Sequence, residues 1–341
     1  MKIVDMHCDT LSELLKRHRT GERAGLAENK GHLDLHRMKN SGYLLQNFAM
    51  FVDSGNGEEP WEEVCALYEL YRKELAANEE LIAPVLCYED IEKNKAAGKM
   101  SALLTVEEGA VCGGRIEKLE SLYRMGVRMM TLTWNYPNEL GWPNLNALQG
   151  RKLREAGADA REYLFTPDRE RGLTELGREF VEYMEHLGII PDVSHFSDKG
   201  FYDVLACMKK PFVASHSNAR AVCGCVRNLT DEMIRSLAEK GGCMGLNYCV
   251  DFLTEPVRGK KASVSEILSA AVCHAKHIVK VGGIGVLGLG SDFDGIDTNE
   301  ALPGVQSMEI LWNALHGAGF AEDALEKIFS GNVLRVYREW L

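Results

Sequence analysis

Imidazole and carboxylate side chains recur in this sequence at spacings that suit a divalent metal. Near the start, His7-Cys8-Asp9 places two such groups at i and i+2. On an extended chain these project from one face, so a ring nitrogen and a carboxylate oxygen can reach the same ion. Further on come Glu107-Glu108-Gly109, Asp192-Val193-Ser194-His195, Ser215-His216-Ser217 and Ser291-Asp292-Phe293-Asp294-Gly295. Each fragment alone has an ordinary structural reading. A lone His at a strand end is more often hydrogen-bonded than ligating, and Asp294 before Gly295 is common turn chemistry. The coincidence of all five, each following a short apolar run, points to one metal-dependent site. His18, His32, His36, His186, His274, His277 and His316 have no partner at ligand spacing and read as structural or solvated. Cys223-Gly224-Cys225 has one intervening residue and no second pair, which does not make a zinc knuckle.

Eight short runs qualify as strands buried on both faces: Ile3–Met6, Leu44–Phe51, Ala102–Val106, Arg128–Thr133, Ile190–Val193, Phe212–Ser215, Cys243–Leu246 and Gly285–Leu289. Amphipathic stretches such as Trp61–Ala77, Ile116–Met125, Thr174–Leu187, Asp231–Glu239 and Ser263–Val281 lie between them. This alternation predicts an α/β fold, a (β/α)8 TIM-like barrel, in which the metal-type residues stand at the C-terminal strand ends where such barrels build active sites. A dinucleotide-binding sheet lacks its fingerprint, since Gly282-Gly283-Ile284-Gly285 precedes a strand, and there is no phosphate-binding loop. No repeat or linker divides the chain, so residues 1–341 read as a single barrel domain. The irregular segment at about 135–168 reads as an insertion over one end of the barrel, a lid.

Of the 341 residues, 45% are hydrophobic and 26% charged, enough for a large core. Lysine plus arginine number 39 against 50 acidic residues, a net charge of −11 without a basic run. That argues against nucleic acid and anionic membrane as partners. The longest apolar stretch, around Ile284 to Leu289, is glycine-interrupted and far short of the ~20 residues a spanning helix needs. Asp5 and His7 interrupt any secretory apolar segment, and the ten scattered cysteines read as reduced thiols, mostly buried; the expected location is cytoplasmic.

The set His7-x-Asp9, Val106-Glu107, Asp192-Val193-Ser194-His195, Ser215-His216-Ser217, Arg227-Asn228 and Gly290-Ser291-Asp292-Phe293-Asp294-Gly295 resembles the membrane dipeptidase (renal dipeptidase) family of metallopeptidases, family M19, from residue 3 to about 337. The resemblance implies a barrel of the metal-dependent hydrolase type, a dipeptide substrate, a homodimer and two zinc ions per chain. It assigns His7 and Asp9 to the first ion, His195 and His216 to the second, and Glu107 to both. Three departures stand out. Mammalian members have an export signal and a lipid anchor, whereas this sequence starts at its first barrel strand, as expected of a soluble bacterial-type member. A substrate-contacting His of the renal enzyme falls at Trp134, within Leu132-Thr133-Trp134-Asn135, making Trp134 and Asn135 candidate substrate contacts, with Asn135 replacing the polarising group. Glu108 stands where Gly is common, so the choice of Glu107 as the bridge rests on the alignment of Val106.

The chemistry expected of such a site is amide hydrolysis. Two Zn²⁺ about 3.5–4 Å apart would hold a shared water and lower its pKa toward roughly 7, giving a hydroxide nucleophile. Asp292, too far along the chain to be a first-choice ligand, would take the water proton and return it to the leaving amine. Arg227 would grip the substrate's terminal carboxylate with its planar fork, unless it caps a helix or pairs with Asp231. Two other readings remain open: a binuclear-zinc amidohydrolase acting on another small amide or lactam, and an inactive barrel used for binding.

Overall fold

The computed structural model describes the whole chain except residues 56, 58, 157–159 and 256–260. Nine strands form in chain order: β1 Ile3–Asp5, β2 Tyr43–Phe51, β3 Ile82–Pro84, β4 Met100–Glu107, β5 Val127–Thr131, β6 Ile190–Asp192, β7 Val213–Ala214, β8 Cys243–Leu246 and β9 Leu287–Leu289. All pairings are parallel. Eight strands close a ring in the order β1-β2-β4-β5-β6-β7-β8-β9, with β9 returning to β1 through Asp5 and Leu289. The eight strands expected from the sequence are these eight. The ninth, β3, lies outside the ring and pairs only with Met100–Ala102 at the start of β4. Three residues ending in proline carry too short a pattern to announce a strand.

Closure explains the burial pattern. β4 is buried along its whole length and β2 through its first eight residues, because both have core on two sides. Polar residues inside the ring are hydrogen-bonded: Asn47 Oδ1 accepts from the Tyr337 hydroxyl at 2.9 Å, and Gln46 Nε2 donates to the Asn47 carbonyl at 2.9 Å. The outer helices bury one apolar stripe each. Helix Glu175–Leu187 is capped by Thr174, which accepts from Gly177 N, and packs Phe180, Val181 and Met184 inward. Helix Val264–Gly282 is opened by a Ser263–Glu266 capping box.

Strand ends depart from the sequence reading by one or two residues. Ile284–Val286 makes a tight helical turn, so β9 begins only at Leu287, and Leu132 and Thr133 leave β5. The segment 135–168 contains helix Ala147–Glu155, and residues 157–159 of the expected lid lie outside the described residues. This segment is tied to the barrel's C-terminal end: Asn144 N donates to the His195 carbonyl at 2.8 Å, and Val226 N to Leu164 O at 2.8 Å. Among the described residues no helix is long and apolar enough to cross a membrane.

Candidate functional site

Parallel registry puts the C-terminal ends of neighbouring strands at one level. Phe51 of β2 faces Glu107 of β4, which faces Thr131 of β5, which faces Asp192 of β6. The chain leaving β1 runs beside the chain leaving β9: Asp9 N donates to the Phe293 carbonyl at 2.8 Å and Asp292 N to the His7 carbonyl at 3.3 Å. His195 and His216 follow β6 and β7. All five sequence candidates for metal binding therefore meet over the mouth of the ring, and all are buried.

Glu107 is the common member. Its Oε2 lies 3.3 Å from His7 Nε2, while its Oε1 lies 3.0 Å from His195 Nε2 and 3.6 Å from His216 Nε2. Asp9 Oδ2 is 3.3 Å from His7 Nε2. Asp292 Oδ1 is 3.8 Å from that nitrogen, so Asp292 also stands within ligand reach of the first pair. Distance along the chain was no guide to its place, because β9 closes on β1. Glu108, by contrast, turns away from the imidazoles. Its carboxylate accepts from Ala110 N, Asn138 Nδ2, Trp134 N and Ser54 Oγ.

The charges are arranged for a cation. Burial, reinforced by the Asp9 carboxylate, pushes Glu107 up to about 8, and burial raises Asp292 to about 6. Burial works against a charged His7, but the Glu107 and Asp9 carboxylates overcome it and hold His7 well above its ordinary value. Burial drives His195 and His216 well below theirs, helped by Arg227 and His7, so both rings are neutral and have lone pairs to give. His7 Nε2 and Asp9 Oδ1, both fully shielded from solvent, make no hydrogen bond. Three imidazoles and two or three carboxylates, two of their buried donor atoms unpartnered, form the nitrogen and oxygen donor set that zinc accepts.

Neighbours fix the orientation of these side chains. Asn135 Oδ1 meets His195 Nδ1 at 2.9 Å, and Ser215 Oγ meets His216 Nδ1 at 2.7 Å. Ser215 in turn donates to Asp192 Oδ2 at 2.5 Å, where Thr131 Oγ1 also donates. Asp292 Oδ2 accepts from Asn247 Nδ2 at 2.9 Å. Asn135, expected as a substrate-polarising group, thus has its oxygen committed to His195. His195, Asp292 and Asp294 adopt positive φ of 65–69°, a left-handed conformation that non-glycine residues rarely adopt. Asp192, Ser215 and Asn247 as supports escaped sequence reasoning, although Asp192 and Ser215 lie within the quoted motifs. His32, expected to be structural or solvated, is structural: its ring Nδ1 accepts from Asp294 N and its backbone N–H donates to Asp294 Oδ1. That contact joins residues 262 apart in sequence, which no local pattern signals.

A cleft of about 500 Å³ opens above Glu107, His195 and Asp292, lined also by Phe51, Trp134, Asn135, Phe252 and Ile296. Arg227 is buried near it, its guanidinium stacked 5.3 Å from the Phe252 ring centre and anchored by the His216 carbonyl at 3.2 Å. No carboxylate among the described residues forms an ion pair with Arg227, and Asp231 pairs instead with His277 at 2.7 Å. Its Nε has no partner. A buried guanidinium with spare donors suits an anionic group of a ligand.

Comparison with known proteins agrees with this geometry. The model of the membrane dipeptidase family (peptidase family M19) matches residues 1–340. A metallo peptidase from Rhodobacter sphaeroides, solved with a phosphinate mimic of the dipeptide L-Ala-D-Ala, superposes with a TM-score of 0.85 at 26% identity, covering 100% of this chain and 99% of that one. The dipeptidase AC, of the same family, superposes with a TM-score of 0.84 at 26% identity, with 100% and 99% coverage. An uncharacterized dipeptidase of Schizosaccharomyces pombe is 28% identical over 99% of this chain and 80% of its own length.

The tightest packing at the site gives a direct test. A Cβ at Gly295 would fall on the Asp9 carboxylate and 2.7 Å from Asp292 Oδ1. Gly295→Ala is therefore expected to displace Asp9 and weaken metal affinity by about 10- to 100-fold, the usual cost of disturbing ligand orientation. Metal content after dialysis against buffered free zinc, with circular dichroism to verify folding, measures it; full retention of metal would show that Asp9 is not a ligand.

Proposed function

Because the chain belongs to the membrane dipeptidase family, peptidase family M19, and is a metallo-dipeptidase, we propose that it hydrolyses dipeptides with two zinc ions held over the barrel mouth. The observation that carries this reading is the position of Glu107, within 3.0–3.6 Å of imidazoles from three different strands. His7, Asp9 and Glu107 would hold one ion, and Glu107, His195 and His216 the other. When bound, the ions supply Lewis acidity toward the scissile carbonyl and acidify water so that it ionises near neutral pH.

The protein's own groups do the rest. Asn247 holds Asp292 Oδ2, leaving Oδ1 turned toward His7 and the cleft, where it can accept the proton of the attacking water and deliver it to the leaving nitrogen. Arg227 binds the substrate's free carboxylate, and the Phe252 ring and the His216 carbonyl keep the guanidinium in place. A carboxylate held there limits substrate length, because the scissile bond must reach Glu107 at the same time. His195 and His216 stay neutral, oriented by Asn135 and Ser215. All ten cysteines are free, which favours a reducing compartment and a cytoplasmic enzyme. The homodimer rests on the family resemblance alone.

Two measurements separate the roles. Asp292→Asn is expected to keep its zinc and lose 10²–10⁴-fold in kcat, roughly the worth of a positioned acid–base group; loss of zinc would make Asp292 a ligand instead. Wild type is expected to cleave a dipeptide far faster than its C-terminal amide, and Arg227→Lys should erase most of that difference because a point charge lacks the two-pronged fit. Equal rates on acid and amide in the wild type would refute carboxylate recognition and favour a hydrolase of other small amides.

A further inference from the structure

Glu108 has no part in the chemistry above, yet it is fully buried and has a φ of +109° that L side chains rarely adopt. Its carboxylate gathers donors from three segments. Oε1 accepts from Asn138 Nδ2 at 2.6 Å and Ala110 N at 2.9 Å, and Oε2 from Ser54 Oγ at 3.2 Å and Trp134 N at 3.3 Å. The loops after β2 and β5 are thereby tied to each other across the end of β4. The end of β2 and the loop after β5 present two aromatic rings to the cleft, with the Asn135 amide beside them. The Phe51 and Trp134 rings meet edge to face at 4.9 Å, and Tyr136 backs Trp134 at 6.0 Å. Tyr136 is itself seated on Gly55, where a Cβ would collide with its ring.

The position of this wall in the ring gives it a direction. Phe51 ends β2 and Trp134 follows β5, on either side of β4, whereas Arg227 and Phe252 follow β7 and β8 on the opposite arc. Along the cleft, the charged lining residues Glu13 and Lys16 lie on the helix between β1 and β2, whose Ser12 donates to the Phe51 carbonyl at 3.2 Å, and Asp297 follows β9. A dipeptide whose carboxylate rests on Arg227 and whose amide lies over Glu107 must send its first residue toward Phe51 and Trp134. Among the described residues that line the cleft, that arc contributes the Phe51 and Trp134 rings, the Asn135 amide and Glu107.

We propose that the Phe51–Trp134 pair, locked in place by the buried Glu108 carboxylate, is the subsite for the N-terminal side chain of the substrate and selects apolar, bulky residues there. The proposal rests on the dipeptidase reading and deepens it. Trp134 and Phe51 touch the substrate side chain; Glu108 acts through them as a positioning residue.

The test compares Phe-Gly, Gly-Phe and Gly-Gly on the zinc-loaded protein. Wild type should favour Phe-Gly over Gly-Gly by roughly tenfold or more in kcat/KM, a typical gain from filling an apolar pocket. Trp134→Ala should bring that ratio close to one, and Trp134→Leu, which keeps apolar bulk, should leave it intermediate. Glu108→Gln keeps the shape but replaces an acceptor by a donor, and should raise KM for Phe-Gly much more than it lowers kcat. An unchanged Phe-Gly to Gly-Gly ratio in Trp134→Ala, or a loss confined to Gly-Phe, would overturn the subsite. A wild-type ratio near one would do the same. Failure of the loaded wild type to cleave any of the three would overturn the dipeptidase reading and this inference with it.

Discussion

A single carboxylate, Glu107, is buried between imidazoles from three strands, and the local structure is organised around the charge this creates. Carboxylates and imidazoles removed from water are costly unless opposite charge or hydrogen bonds compensate. Here the raised Glu107 and Asp292 and the depressed His195 and His216 show what burial does to the protein's own groups. A divalent cation reverses each of those penalties at once, which is why such a cluster can persist where ordinary core residues would be more stable. Stability and metal affinity are in this sense one quantity at the mouth of the barrel.

Barrel closure makes the cluster possible. β1 and β9 are 284 residues apart at Asp5 and Leu289, yet their pairing sets His7, Asp9 and Asp292 side by side. Asp5 reinforces the seam, its Oδ1 accepting from His7 N at 3.2 Å and Ser291 N at 3.0 Å. The turns that leave β6 and β9 hold His195, Asp292 and Asp294 in left-handed backbone. Such strain persists only where surrounding contacts determine the conformation, and these turns are pinned by Asn135, Asn247 and His32.

Most of the frame was legible in the sequence. Eight short runs buried on both faces, separated by amphipathic helices, are a pattern few folds other than this barrel satisfy, and the metal-type residues at their ends could be named from local spacing. What local spacing could not show was which groups support which. Ser215 and Asp192 are visible as letters in motifs, but their link to His216 Nδ1 depends on neighbouring strands sharing a level. Asn135 is a candidate substrate contact through the family resemblance; it lines the cleft, and what local spacing could not show is that its oxygen also meets His195. Glu108 and Glu107 are adjacent and chemically identical. Only the backbone turn at Glu108 sends one to the loops and leaves the other with the imidazoles.

The most direct measurement of Glu107's role is zinc stoichiometry and affinity by calorimetric titration of the metal-free protein, in wild type, Glu107→Gln and Glu108→Gln. If Glu107 joins two sites, wild type binds about two ions per chain, Glu107→Gln weakens both together, and Glu108→Gln retains both. Unimpaired binding of two ions by Glu107→Gln, with loss in Glu108→Gln, would contradict it.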